Sequence, residues 1–261
     1  MSFKTFNTLN QWSNLLHGFT YRNGGVVELP FGNQHMGLLS CHYRDEAWEN
    51  VKHLIENLSL INPVEALVCT EQVHKDDLVN FKLETQHPEM REGLPVYVQA
   101  GTDGVFTKEK NTLLMTFYAD CTPVYFYDPK NNVCGMVHSG WKGTALKIAV
   151  KGVAFMTAEF GSAIEDLVVV LGPGAGKCCY EVDGLVYNAF PDHKDFFEPT
   201  GPDHYLMDLK GIIQKDLLSI GLRENQIEGS PDCTLCQRED YFSYRKENGN
   251  TGRMAAFMML T

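Results

Sequence analysis

The spacing of apolar residues along this chain predicts a mixture of helices and strands. Apolar positions recur at the period of an amphipathic helix in three stretches, 45–59, 146–158 and 205–222. Short, mostly apolar runs predict strands at 65–69, 111–121 and 167–171, and on both sides of a turn within 241–260. Residues 82–101 are polar and contain several proline and glycine residues, so we expect an exposed loop there.

The stretch 119–143 predicts a β-hairpin with two possible metal ligands at its open end. A turn over 128–132 separates two apolar runs, Cys121 stands where the first strand would begin, and His138 where the second would end. Antiparallel pairing would bring these two residues close together. Zinc and copper both accept thiolate and imidazole ligands, and His74, which follows the strand at 65–69, is the candidate third ligand. The alternative for His74 is a purely structural histidine.

Glycine-rich turns suggest places where an anionic substrate could meet backbone N–H groups. Arg22 precedes Gly24 and Gly25, and Lys142 lies in a glycine-rich connection between a predicted strand and a predicted helix. A surface arginine and an ordinary strand-to-helix connection are the alternatives, and both are common.

Composition limits the classes of protein to which the chain can belong. The 261 residues are 44% hydrophobic and 21% charged, which is ordinary for a globular protein, and we expect a single domain over 1–261. A net charge of −11 argues against a protein that holds a nucleic-acid backbone. We find no signal peptide and no apolar run of about 20 residues, so we predict a cytoplasmic protein with no membrane partner.

Four of the eight cysteines stand in two short motifs that do not look like a zinc site from the sequence alone. Cys233 and Cys236 form a C-x-x-C motif, but no cysteine follows to supply a second pair. Cys178 and Cys179 are adjacent, and neighbouring side chains in an extended chain point to opposite faces. We therefore expect one inward and one outward thiol at Cys178 and Cys179, and no zinc ribbon at Cys233 and Cys236.

Several segments together resemble the YfiH family, also called the multicopper polyphenol oxidoreductase (laccase-like) family. They include HGFTYRNGGV, TEQVH, GTDGVFT, ADCTPVYFYDP, VHSGWKGT, LGPGAGKCCYEV and FSYRK, in this order, and the resemblance covers about residues 17–260. It implies a CNF1/YfiH-like mixed α/β (α+β) domain, with central mixed β-sheets and helices outside. It also implies a Zn²⁺ site, or a Cu²⁺ site, formed by His74, Cys121 and His138, which would be the catalytic residues.

The resemblance further implies a purine nucleoside phosphorylase. Its substrates would be phosphate and adenosine, inosine, guanosine or 5′-methylthioadenosine, with adenosine deaminase activity in addition, and the protein would be a monomer or a small homo-oligomer. Arg22, Lys142 and Arg245 are the candidate substrate contacts, by their charge and their positions in the motifs. Lys142 stands where the family usually has arginine, so it keeps the charge but loses the planar two-pronged donor.

Other chemistries remain open at this point. A copper-dependent polyphenol oxidoreductase is one, although the chain has nine scattered histidines and no H-x-H pair. A Cys-His hydrolase with Cys121 as nucleophile, or an editing factor for peptidoglycan precursors, is another. A zinc-stabilised binding domain without activity is the non-enzymatic alternative. Asp120 and Glu181 are candidates for proton transfer.

Overall fold

The computed structural model describes residues 1–30, 32–39 and 42–261. The strands, in chain order from β1 to β16, are Phe3–Lys4, Leu15–Thr20, Ala66–Thr70, Leu78–Asn80, Glu89–Arg91, Leu94–Gln99, Gly104–Thr107, Thr112–Tyr118, Thr122–Asp128, Val133–Ser139, Val168–Leu171, Glu181–Asp183, Phe197–Gly201, His204–Met207, Ile227–Gly229 and Met254–Leu260. The helices α1 to α5 are Arg44–Ser59, Trp141–Ala145, Ile148–Phe160, Gly184–Asn188 and Leu209–Ser219. Short 3₁₀ turns cover Leu83–Thr85, Ile164–Asp166, Pro191–Phe196 and Glu224–Gln226.

Two large mixed sheets form the centre of the molecule. The described strands of the first follow the order β1-β2-β16-β8-β3-β6-β5, and those of the second the order β15-β11-β9-β10-β7-β4. A small sheet, β12-β14-β13, lies apart from them. Both large sheets are mixed. In the first, β3 runs parallel to β6 and β8 while β16 runs antiparallel to β8. In the second, β11 runs parallel to β15 while β9 runs antiparallel to β10.

Side-chain alternation along the strands produces a four-layer arrangement of helix, sheet, sheet and helix. In β9, Tyr125 and Tyr127 pack between the two sheets, whereas Val124 and Phe126 face helices α3 and α5. β16 alternates in the same way, with Met254, Ala256, Met258 and Leu260 inward and Ala255, Phe257 and Met259 toward α1. Successive strand residues point to opposite faces, so an apolar run with both faces covered contributes to two cores at once.

The predicted fold class and most predicted elements are confirmed. The helices predicted at 45–59 and 205–222 correspond to α1 and α5, and the hairpin of 119–143 corresponds to β9 and β10. The helix predicted at 146–158 begins at Ile148, because Lys147 has a left-handed φ of 59° and separates it from the short α2. No helix in the described residues is long and apolar enough to span a membrane.

The structures predicted for two segments were wrong. Residues 82–101, expected to be a loop, contain β5 and β6, joined by a tight turn in which Glu92 and Gly93 have φ of 48° and 88°. Positive φ at both central residues is typical of a type I′ hairpin, and Pro95 is tolerated because it lies near the start of its strand. The first predicted strand within 241–260 is a series of turns instead. There the Glu247 carboxylate accepts hydrogen bonds from Ser243 N and Thr251 Oγ1, and such local bonds compete with strand pairing.

Candidate active site

Cys121 and His138 meet at the open end of the hairpin. His138 pairs with Pro123 and Ser139 with Thr122, so Cys121 comes immediately before the first paired residue of β9. Gly140 makes the close approach possible, because a Cβ at this position would lie 2.8 Å from Cys121 Sγ. The hairpin register therefore places the thiol against the chain that follows His138.

Asp103 holds both histidines of the predicted metal site. Its fully buried carboxylate lies 2.8 Å from His138 Nδ1 and accepts hydrogen bonds from the backbone N–H groups of His74, at 3.0 Å, and Lys75, at 2.8 Å. These bonds stabilise the loop in which His74 has a left-handed φ of 61°. Because Nδ1 of His138 faces Asp103, its Nε2 is left to face the site. A carboxylate behind a histidine is the usual support for a metal-binding imidazole.

The ligand atoms of His74, Cys121 and His138 all lie within 4.8 Å of one another. The two imidazole rings are 4.8 Å apart and nearly perpendicular, at 82°. Donor atoms in a tetrahedral zinc site are about 3.3–3.8 Å apart, so small side-chain rotations would suffice to bind an ion. The donor set, one thiolate and two imidazoles, fits zinc, and within the described residues the group has three members, as in catalytic zinc sites. The role of these residues as metal ligands stays a prediction.

Charge interactions within the group favour a thiolate and an imidazolium. Burial raises the pKa of Cys121, but the neighbouring His138 and His74 outweigh burial and bring the pKa below its ordinary value. Burial lowers the pKa of His138, but the charge of Cys121 and the hydrogen bond to Asp103 raise it above its ordinary value. A metal ion would take the place of the protons as the positive partner of the thiolate.

The three residues lie on the wall of a cleft of about 660 Å³. Arg245 and Arg253 supply positive charge, and Phe117, Tyr180 and Tyr244 supply aromatic surface. The remaining lining residues are Gly37, Leu39, Glu71, Gln72, Ala119 and Asp120. A volume of this size accommodates a nucleoside-sized ligand.

Asp120 positions Arg245 at the edge of this cleft. Its two carboxylate oxygens accept hydrogen bonds from Thr234 Oγ1, at 2.7 Å, and from Arg245 N, at 2.8 Å. The Arg245 guanidinium donates to the backbone oxygen of Glu181, at 2.6 Å, and stacks 5.5 Å from the centre of the Tyr180 ring. These contacts give Asp120 a structural role. The side chain of Glu181, the other candidate for proton transfer, is half-exposed and accepts a hydrogen bond from Thr200 rather than lining the cleft.

Arg22 and Lys142, the other predicted substrate contacts, are not among the described residues that line the cleft. The Arg22 guanidinium donates to the backbone oxygen of Arg238, at 2.6 Å, and pairs with Glu247, at 3.0 Å. Lys142 is exposed, and its ammonium lies 5.6 Å from the ring of Trp141. The structure thus brings Arg245 to the cleft but not Arg22 or Lys142.

Sequence reasoning missed Tyr180 and Arg253 as cleft residues. Tyr180 lies in GKCCYEV between the two cysteines and Glu181, and nothing in this segment distinguishes its ring from that of a core tyrosine. Arg253 lines the cleft from the position just before β16, which is far in sequence from the hairpin. No local pattern marks such residues, because their position depends on sheet order.

The family model described as "Multi-copper polyphenol oxidoreductase laccase" matches residues 16–261. The chain belongs to this family. Its relatives in the laccase family include proteins named purine nucleoside phosphorylase YlmD. The one from Geobacillus stearothermophilus is 35% identical over 248 residues, which are 92% of this chain and 88% of that protein. The one from Bacillus subtilis is 34% identical over 251 residues, or 94% and 88% of the two chains.

A solved structure of the same laccase family confirms the fold. The Bacillus licheniformis protein YfiH is 33% identical and superposes with a TM-score of 0.88, covering 96% of this chain and 94% of the other. The mixed α/β architecture with several sheets is therefore shared with this relative.

Proposed function

We propose that the protein is a zinc-dependent purine nucleoside phosphorylase. The observation that carries the proposal is the convergence of the His74, Cys121 and His138 ligand atoms on the wall of a cleft large enough for a nucleoside. The names of the relatives that are 34–35% identical support the reaction type. Inosine, adenosine, guanosine and 5′-methylthioadenosine are the proposed substrates, and deamination of adenosine to inosine is a proposed second activity.

Phosphorolysis exchanges one bond at the sugar for another. A phosphate oxygen bonds to C1′ of the ribose while the bond from C1′ to the purine nitrogen breaks, and the base leaves with that electron pair and takes up a proton. Ribose 1-phosphate and free base are the products. Zinc, when bound to His74, Cys121 and His138, would supply positive charge beside the reacting atoms.

The residues of the cleft supply what the two substrates need. Arg245 and Arg253 offer cationic N–H donors suited to phosphate oxygens, and Asp120 fixes the backbone of Arg245. Phe117, Tyr180 and Tyr244 offer aromatic surface for the purine and the sugar. Asp103 holds His138 in one orientation, so the metal site is arranged before the substrate binds.

The decisive assay incubates purified protein with inosine or adenosine, with and without phosphate. We expect free base and ribose 1-phosphate only when phosphate is present, and loss of turnover in Cys121→Ala and His138→Ala. Cys134→Ala is the matched control, because Cys134 is a buried thiol of the same hairpin that does not line the cleft. Base release at the same rate without phosphate would contradict the proposal and indicate a hydrolase. Phenol oxidation by copper-loaded protein that exceeds nucleoside cleavage would favour the oxidoreductase alternative.

A cysteine hydrolase is the second candidate function, because the interactions of Cys121 and His138 favour a thiolate beside an imidazolium. The two candidates respond oppositely to metal removal. A hydrolase would keep its activity after dialysis against a chelator and lose it on alkylation of Cys121, whereas the phosphorylase should stop when zinc is removed and recover when zinc is returned.

A further inference from the structure

Cys178, Cys179, Cys233 and Cys236 form a second cluster of metal-binding atoms, and none of the four is among the described residues that line the cleft. Their four Sγ atoms all lie within 4.8 Å of one another. Cys236 Sγ is 3.3 Å from Cys178 Sγ and 3.0 Å from Cys179 Sγ, which is longer than the roughly 2.05 Å of a disulfide bond. The prediction that Cys178 and Cys179 point to opposite faces was wrong, because both sulfurs lie beside Cys236 Sγ.

The turn at 176–180 explains how two adjacent cysteines reach the same side of the chain. The backbone N–H groups of Cys179 and Tyr180 both donate to the carbonyl of Gly176, at 3.0 and 2.9 Å, so the segment is coiled rather than extended. Side chains in a coiled turn are not forced to opposite faces as they are in a strand. No cysteine follows Cys236 to supply a second pair of ligands. The adjacent cysteines of this upstream turn supply that pair instead.

Two loops are brought together at the cluster. Gly174 and Cys233 form an isolated parallel bridge, and Thr234 N donates to the carbonyl of Gly174 at 3.1 Å. Gly176 N donates to Cys233 Sγ at 3.2 Å. A backbone N–H group directed at a cysteine sulfur is a common supporting contact in metal–thiolate sites, because it stabilises the negative charge on sulfur.

The dimensions of the cluster fit one tetrahedral ion. With metal–sulfur bonds of about 2.3 Å, the sulfurs of a four-cysteine zinc site are about 3.8 Å apart. This distance falls between the 3.0 Å that separates Cys179 Sγ from Cys236 Sγ and the limit of 4.8 Å within which all four sulfurs lie. The Lys210 ammonium donates to the carbonyls of Ser230, at 2.7 Å, and Asp232, at 2.9 Å, and so places a positive charge beside the cysteine loop. Such a cation offsets part of the negative charge of a four-thiolate site.

We propose that Cys178, Cys179, Cys233 and Cys236 bind a structural zinc ion that joins the loop at 172–180 to the loop at 230–237. All four ligands come from the chain, which leaves no open position for a substrate, so this ion stabilises structure rather than reacting. Through Thr234 and Tyr180, the joined loops support Asp120 and one wall of the cleft.

Metal analysis of protein purified anaerobically without added metal tests the proposal. We expect about two zinc ions per chain in the wild type, one in the double variant Cys178→Ser/Cys236→Ser, and one in Cys121→Ser. Cys178 and Cys236 are exposed, so serine at these positions leaves no buried cavity, and circular dichroism checks that the double variant is folded. Zinc content in the double variant equal to that of the wild type would overturn the proposal, whatever the fate of the nucleoside assay.

Two further measurements identify the ligands. In Cys121→Ser loaded with cobalt, the cluster should give intense visible bands and the sulfur-to-cobalt charge-transfer absorption of a tetrahedral thiolate site, and both should vanish when Cys178→Ser/Cys236→Ser is added. A thiol titration in denaturant and chelator should count all eight cysteines as reduced. A count of six would show a disulfide and overturn the proposal.

Discussion

His74, Cys121 and His138 lie at or just beyond the ends of strands in the two large sheets, whereas the four clustered cysteines lie on two loops. In the first group, the orientation of each donor follows from strand register and from one buried carboxylate, Asp103. In the second, the loops meet through a single bridge and a few hydrogen bonds. The comparison indicates that the first group is preorganised by the fold, while the second needs its ion to hold the loops together.

The largest difference between the two groups should appear when one cysteine of each group is replaced by serine. We expect Cys121→Ser to reduce phosphorolysis by at least about 1,000-fold, because it removes a ligand beside the reacting atoms. Cys236→Ser should reduce turnover far less, because the cluster supports one wall of the cleft without touching the reacting atoms, and it should lower the melting temperature. Steady-state assays and thermal unfolding of the two variants measure this contrast. Equal losses of activity in both would contradict the division between a reactive and a structural group.

The next effect concerns Asp103, which we expect to orient the metal ligands without touching the ion. In Asp103→Asn, the amide can accept with one oxygen only, so at least one of the hydrogen bonds from His74 N, Lys75 N and His138 Nδ1 is lost. We expect zinc affinity and kcat/KM to fall by about 10–100-fold. Competition with a chromogenic chelator measures the affinity. Asp128→Asn, at the opposite end of the hairpin, is the matched control and should retain wild-type zinc affinity at the cleft.

A smaller effect is expected from Gly140→Ala. The added methyl group would lie 2.8 Å from Cys121 Sγ and displace the thiol from its position beside His138. A displacement of this kind should reduce kcat by about tenfold and leave the folded state intact. Gly229→Ala is the control, since a Cβ there meets nothing within 4 Å. Wild-type kcat in Gly140→Ala would show that the cysteine tolerates movement.

The smallest effect on turnover should come from Gly176→Ala, the corresponding change at the cysteine cluster. Its Cβ would lie 2.9 Å from Cys233 Cβ and 3.2 Å from Cys233 Sγ. We expect faster loss of one zinc ion to a chelator, with nucleoside turnover within about twofold of the wild type. Zinc release followed by absorbance tests this expectation. Unchanged release kinetics would show that the two loops adapt without strain.

The difference between the two groups also explains what could be predicted from the sequence. Periodicity revealed α1, α5 and the hairpin, because each of these patterns is contained in a short stretch. The proximity of Cys121 and His138 followed from hairpin register, which is local as well. Cys233 and Gly176 are 57 residues apart in sequence, and their contact depends on how two loops cross after the sheets have formed. Adjacent cysteine side chains point to opposite faces only where the chain is extended, and the chain after Gly176 forms a turn instead.

The difference between local patterns and long-range contacts also applies to the cleft. Arg245 was found because it lies in a recognisable motif, but its partner Asp120 is 125 residues away, and that contact was not foreseen. Arg22 and Lys142 were predicted as substrate contacts from their charge and their neighbouring glycines. Neither the charge nor the glycines determine the direction in which a side chain points. Long-range placement, rather than residue chemistry, limited the prediction of the site.

The position of β16 has a consequence for biosynthesis. This strand, made of residues 254–260, lies between β2, residues 15–20, and β8, residues 112–118. During synthesis, β2 and β8 therefore leave the ribosome long before β16, which pairs with both. Until β16 is available, each of these two hydrophobic strands has an unpaired edge. Nascent chains that stall before residue 254 should accordingly be clients of chaperones, and they should aggregate when chaperones are scarce.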